Sequence, residues 1–176
     1  MEFRFQSLAA AAAVLGLFVL QPAQAQTPPS DPQIVGIVLA ANTIDINYGK
    51  LALSKTKDKQ VHDFAQQMVT DHSAVQKSVQ DLGAKLHVTP ADSATADSLK
   101  KQAAETIAKL KGLSGKAFDK AYVDNEVAYH TAVIDAVSKV LIPNAQNAEV
   151  KAALTGAAPL FTGHLEHAKM IQSNMK

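Results

Sequence analysis

The sequence predicts an all-α protein, a ferritin-like four-helix bundle with an extra crossover helix between helices 2 and 3. Three observations predict it. Four segments carry apolar residues at steps of three and four, the period of a helix with one buried face. Caps, glycines and prolines separate those segments at the places where helices begin and end. Long alternating runs and Asn-Gly or Asp-Gly hairpin dipeptides are missing from the 176 residues, so strands are not indicated.

Before the first helix, residues 1–25 read as a signal peptide: Arg4 near the start, an apolar run from Leu8 to Leu20, then Ala23-Gln24-Ala25, the small-x-small pattern of a processing site. Cleavage after Ala25 would leave residues 26–30 as a linker and residues 31–176 as one bundle domain. The apolar run is short of the ~20 residues a membrane-spanning helix needs. The expectation is a periplasmic or secreted protein with no integral membrane segment after cleavage.

Helix 1 is expected from Asp31, read as an N-cap, with Pro32 in the first turn. Its seam is Ile34, Ile37, Ala41, Ile44, Tyr48 and Leu51, and Lys55 to Lys59 is the turn. Helix 2 has the cleanest pattern: Val61, Ala65, Met68, His72, Val75, Val79, Leu82 and Leu86, ending near His87 ahead of Thr89-Pro90. A lysine- and alanine-rich crossover from about Asp97 to Lys111 leads to Ser114-Gly115. Helix 3 runs Val123, Val127, His130, Ile134, Val137 and Leu141, and is expected to stop before Pro143. Helix 4 starts near Asn147 with Glu149 in its first turn and runs Val150, Leu154, Ala157, Phe161, His164, Ala168, Ile171 and Met175. Pro159 within it should produce a kink.

Composition narrows function. The formal net charge is +1 and Cys 0. Without cysteine there are no disulfides, thiolate metal sites or thiol nucleophiles. Arg4 is the only arginine, so the mature chain lacks the planar fork of phosphate and guanine recognition, and nucleic-acid binding is not indicated. The sequence has no Glu-x-x-His pair of the di-iron carboxylate bundles, no His-Glu-x-x-His, no phosphate loop and no dinucleotide fingerprint. An enzyme is therefore the weaker expectation.

Three seams each contain one histidine near mid-helix: His72, His130 and His164. Counting from the turn near Lys57, Asp45 and His72 differ in height by only about 4.5 Å at 1.5 Å rise. Counting from Asn144, His130 and His164 differ by about 9 Å. Glu126 stands one turn before His130, and His167 one turn after His164.

One reading makes His72, His130 and His164 imidazole ligands, with Asp45 or Glu126 as the carboxylate and His167 as a further candidate. That donor set suits zinc, copper or iron. The other makes the same residues, with Tyr48 and Tyr129, a hydrogen-bonded core network without metal, in an envelope protein acting through its surface. Asp71 lies about 100° around the helix from His72, which favours a surface role over ligation, with support of a ligand from behind as the alternative. His62 reads as solvated and His87 as a cation at a helix C-terminus.

Four pieces of the chain, in order, resemble the exported family called domain of unknown function 4142: Tyr48-Gly-Lys-Leu-Ala, Val61-His-Asp-Phe-Ala-Gln-Gln-Met-Val-Thr-Asp-His72, Leu113-Ser-Gly-Lys-Ala-Phe-Asp-Lys-Ala-Tyr122 and His164-Leu-Glu-His-Ala. The resemblance implies a ferritin-like helical bundle, with Asp71-His72, His130 and His164 at matching positions and usually a glutamate in place of Asp45. It implies no agreed activity. His167 is an addition to the family pattern.

Overall fold

The computed structural model describes residues 27–175, and its regular elements are all helical. The expected signal segment, its cleavage site and Gln26 lie outside the described residues. Helix α1 spans Asp31–Lys55, α2 Lys59–Leu86, α3 Ala94–Lys111 and α4 Gly115–Ala136. Helix α4 continues through a π-helical turn, Val137–Leu141, into Ile142–Asn144, and α5 spans Ala148–Asn174.

Local chemistry sets these ends. Ser30, not Asp31, is the N-cap of α1, and its backbone N–H donates to Gln33 Oε1 at 3.0 Å. Asp31 is thereby free for a longer reach: its two carboxylate oxygens accept the Gln146 and Asn147 backbone N–H groups, each at 2.9 Å, tying the start of α1 to the turn before α5. Asp58, Ser93 and Asn147 cap α2, α3 and α5 through side-chain oxygens that accept first-turn N–H groups. His87 closes α2 in the left-handed region at φ 55°.

Two further expectations about helix ends are corrected. The third seam does not stop before Pro143, because the π-helical turn re-spaces the ladder and lets the proline sit in the first turn of Ile142–Asn144. The crossover helix begins at Ala94, three residues early, because Ser93 provides the cap. Pro159 stands inside a helix that is continuous from Ala148 to Asn174.

Contacts at the ends define the topology. Lys55 Nζ donates to the Lys111 carbonyl at 2.6 Å, placing the end of α3 beside the end of α1. The Ala91 N–H donates to the Pro32 carbonyl at 2.9 Å, placing the start of the crossover beside the start of α1. Helix α3 therefore runs alongside α1, and α4 descends antiparallel to it. Neighbours around the bundle are α1 with α2, α2 with α5, α5 with α4 and α4 with α1. One long crossover between two antiparallel pairs is the connectivity of ferritin-like bundles.

The core falls into two clusters. One holds Phe64, Met68, Phe118 and Tyr122 towards the α1 C-terminus, and the other Ile34, Leu141, Leu154 and Phe161 towards the α1 N-terminus. Between them, at mid-height, lies the polar layer. Helices α1 and α2 meet closely beside it. A Cβ on Gly49 would lie 2.8 Å from Val69 Cγ2 and 3.0 Å from the Ala65 carbonyl oxygen, so only glycine permits this approach.

Candidate metal centre

The polar layer gathers Asp45, His72, Glu126, His130 and His164, all at most 3% exposed. Ring centroids of His72, His130 and His164 stand 5.1–5.6 Å apart pairwise. One ligand atom from each of the three lies within 4.8 Å of the others, and Asp45, Glu126 and His130 form a second such group. The 9 Å mismatch expected between His130 and His164 is removed by the turn. Helix α4 extends to Asn144 and α5 starts at Ala148, so the two histidines stand about fourteen and sixteen residues from their ends, or roughly 3 Å apart in height.

Each imidazole is held by its outer nitrogen. Asn42 donates its amide to the Val38 carbonyl at 2.8 Å, which orients its oxygen towards His72, so Nδ1–H of His72 donates to Asn42 Oδ1 at 2.9 Å. Nδ1–H of His130 donates to the Glu126 carbonyl at 3.1 Å. Nε2–H of His164 donates to Asp71 Oδ2 at 2.9 Å. These acceptors fix the tautomers. The remaining nitrogens, His72 Nε2, His130 Nε2 and His164 Nδ1, therefore carry lone pairs, and all three are buried without a hydrogen-bond partner.

Asp45 faces two of them. Its Oδ2 lies 3.4 Å from His72 Nε2 and 3.5 Å from His130 Nε2, and neither carboxylate oxygen has a hydrogen-bond partner. Those distances are long for a hydrogen bond. They match the separation of about 3.3 Å between two ligand atoms that share a tetrahedral ion at 2.0–2.1 Å. Unpartnered donors of this kind, each steadied by an outer acceptor, fit a bound transition-metal ion.

Burial governs the electrostatics. It lowers His72 to about 3, reinforced by His130 and His164, so its ring is neutral and able to ligate. It lowers His164 too, against the opposing hydrogen bond that the ring donates to Asp71. It raises Asp45 well above the ordinary carboxylate range, with Glu126 adding to the rise and His130 opposing it. Glu126 is pushed up to about 8 by burial. Its Oε2 stands 3.4 Å from His130 Nδ1, and a Glu126 carboxylate oxygen lies within 4.8 Å of one of Asp45.

Asp71 departs from its surface reading. Its side chain crosses the α2–α5 boundary and orients a ring on the facing helix. Asn42 escaped the sequence reading although it lies one turn before Asp45 on the same face, which was the available signal. His167 is not brought into the group: its Nδ1 meets Gln67 Oε1 at 3.0 Å and its ring packs edge-on against Phe64. His62 is exposed, with a side chain 52% accessible. Tyr129 donates its hydroxyl to the Ala41 carbonyl at 2.9 Å and so holds α4 to α1 at the height of the site.

Fold and site define a helical bundle with a buried layer of histidines and carboxylates. The sequence profile of the family described as Domain of unknown function (DUF4142) matches residues 19–171, and the chain belongs to that family. No curated protein matches the sequence. A solved structure described as CopM in the Cu(II)-bound form is similar in fold, with a TM-score of 0.66 over 85% of this chain and 100% of that one at 12% identity. No helix among the described residues is long and apolar enough to cross a membrane.

Proposed function

We propose that this protein is an exported metal-binding bundle that holds one divalent transition-metal ion through His72, His130, His164 and Asp45. The observation that carries the reading is the set of three lone pairs, on His72 Nε2, His130 Nε2 and His164 Nδ1, buried without partners, the first two facing the Asp45 carboxylate. A hydrogen-bond network would have satisfied them.

Copper(II) is the ion of choice. An imidazole and carboxylate donor set without thiolate suits Cu(II) and Zn(II), and copper binds more tightly in the order of first-row divalent metals. The Cu(II)-bound state described for a protein of similar fold adds support. Glu126, beside His130 and Asp45, acts as an outer carboxylate. The role is sequestration or delivery in an extracytoplasmic compartment, reached through a signal segment ending at Ala23-Gln24-Ala25.

The test is metal content with a paired control. Wild-type protein loaded with Cu(II) should retain one ion per chain with nitrogen couplings in its electron paramagnetic resonance spectrum. His130→Ala should abolish that stoichiometry and His62→Ala should leave it intact. Retention of the ion by His130→Ala would overturn the site. The intact mass of the envelope form should begin at Gln26, and a form retaining Met1 would overturn the export reading.

A further inference from the structure

The seam of α2 is uniform in sequence and divided in structure. Val61, Ala65 and Met68 are fully buried, whereas Val75, Val79 and Leu82 on the same face are half-buried. The difference is a half-open chamber of about 1200 Å³ lying mainly on the α1 N-terminal side of the histidines, which these three residues line. Its other walls include Val38, Val133, Val137 and Leu154, and it passes His72 and His130 to reach Tyr48, Thr106 and Asn125 beyond them. From His72 to Leu82 it runs about 15 Å along the bundle at 1.5 Å per residue. Interiors normally fill such space with side chains, and a chamber this large exceeds the usual ~300–1,000 Å³ of small-molecule sites.

We propose that the chamber binds a single-chain fatty acid, its aliphatic tail along the bundle axis and its carboxylate against the metal at His72 and His130. The tail's placement follows from the elongated aliphatic lining. The head's placement rests on the metal reading above. No lysine lines the chamber, and its one carboxylate is Asp71. A metal ion would thus be the positive charge within reach of an anionic head. An ion held in four-coordinate geometry by three imidazoles and one carboxylate can take an outside oxygen as a fifth ligand.

The probes are laurate and its neutral counterpart dodecanol, titrated into the full chain with and without Cu(II). Laurate should bind one per chain to the copper-loaded protein, at least about tenfold more tightly than to the metal-free protein, and should shift the copper resonance spectrum. Dodecanol should bind equally to both forms and leave the spectrum unmoved. Val79→Trp and, separately, Ala157→Phe should weaken both amphiphiles while keeping copper stoichiometry, which also confirms folding. Amphiphile binding that both substitutions leave unchanged, or no stoichiometric binding at all, would overturn the chamber. Laurate no tighter with copper than without would overturn the placement of the head. If the wild type holds no copper, the metal reading and the head's placement fall together, and dodecanol lost in Val79→Trp still supports the tail site.

Discussion

Asn42 and His72, thirty positions apart on α1 and α2, meet at 2.9 Å through Oδ1 and Nδ1, and this contact turns the Nε2 lone pair of His72 towards Asp45. Asn42 is itself held by its amide on the Val38 carbonyl. An acceptor that fixes a ligand's tautomer and ring angle is worth about 10–100-fold in metal affinity. Asn42→Ala should therefore weaken Cu(II) binding by about that factor without touching the ion. Competition against a chelator of known affinity measures it. Unchanged affinity would show that the ring is held by other means, such as its stacking on Phe161 at 5.7 Å.

Asp45 separates stability from binding. Its carboxylate is wholly buried, with no hydrogen-bond partner on either oxygen. Burial already disfavours the charged form of Asp45, and its oxygens stand 3.4–3.5 Å from the ring nitrogens, so a neutral amide makes no new contact there. The metal-free Asp45→Asn variant should stay within about 1 kcal/mol of wild type in urea unfolding. Its copper affinity should fall, because the anionic ligand is gone. Loss of both stability and affinity would indicate that Asp45 supports the fold without metal.

Much of this arrangement is legible in the sequence, for a definable reason. Helical period exposes a polar residue in an apolar seam, so His72, His130 and His164 declare themselves. Height is harder to read, because it depends on where a turn ends. The π-helical turn through Leu141 and the capping of α5 by Asn147 bring His130 level with His164, and neither follows from residue spacing alone. Asp71 is misread because an angle around one helix says nothing of the neighbour it borders. The half-filled interior beside Val75 and Val79 is illegible for a related reason: periodicity gives the direction of a side chain and not what faces it.

The pH dependence of the metal-free protein should be a plateau with two falling limbs. Glu126 is raised from 4.5 to about 8, so its contribution is fully present below 4.5 and is lost as pH rises through 8. Asp45, also raised, acts in the same direction. His72 is lowered from 6.5 to about 3, so its contribution is present above 6.5 and is lost as pH falls towards 3. His164 shares that direction. Between 4.5 and 6.5 the two trends oppose each other. Urea midpoints should therefore change little there and decline outside that window. Glu126→Gln should flatten the alkaline limb, and a midpoint that climbs from pH 6.5 to 8 would contradict the assignment.

The two halves of the bundle should respond differently to truncation. Phe64 is fully buried between Tyr122 and His167, in the half where Met68 and Phe118 are also fully buried. Phe64→Ala should cost about 3–5 kcal/mol, because the packed neighbours cannot collapse into the space left. Leu82 points into the chamber and is half-buried. Leu82→Ala adds to a space that already exists and forfeits only part of a transfer free energy, about 1 kcal/mol. Denaturant unfolding of both variants, each checked by far-ultraviolet dichroism for native helicity, gives the comparison. Equal losses would mean that the chamber is closed by packing in solution, and the half-burial of Val75, Val79 and Leu82 would then need another cause.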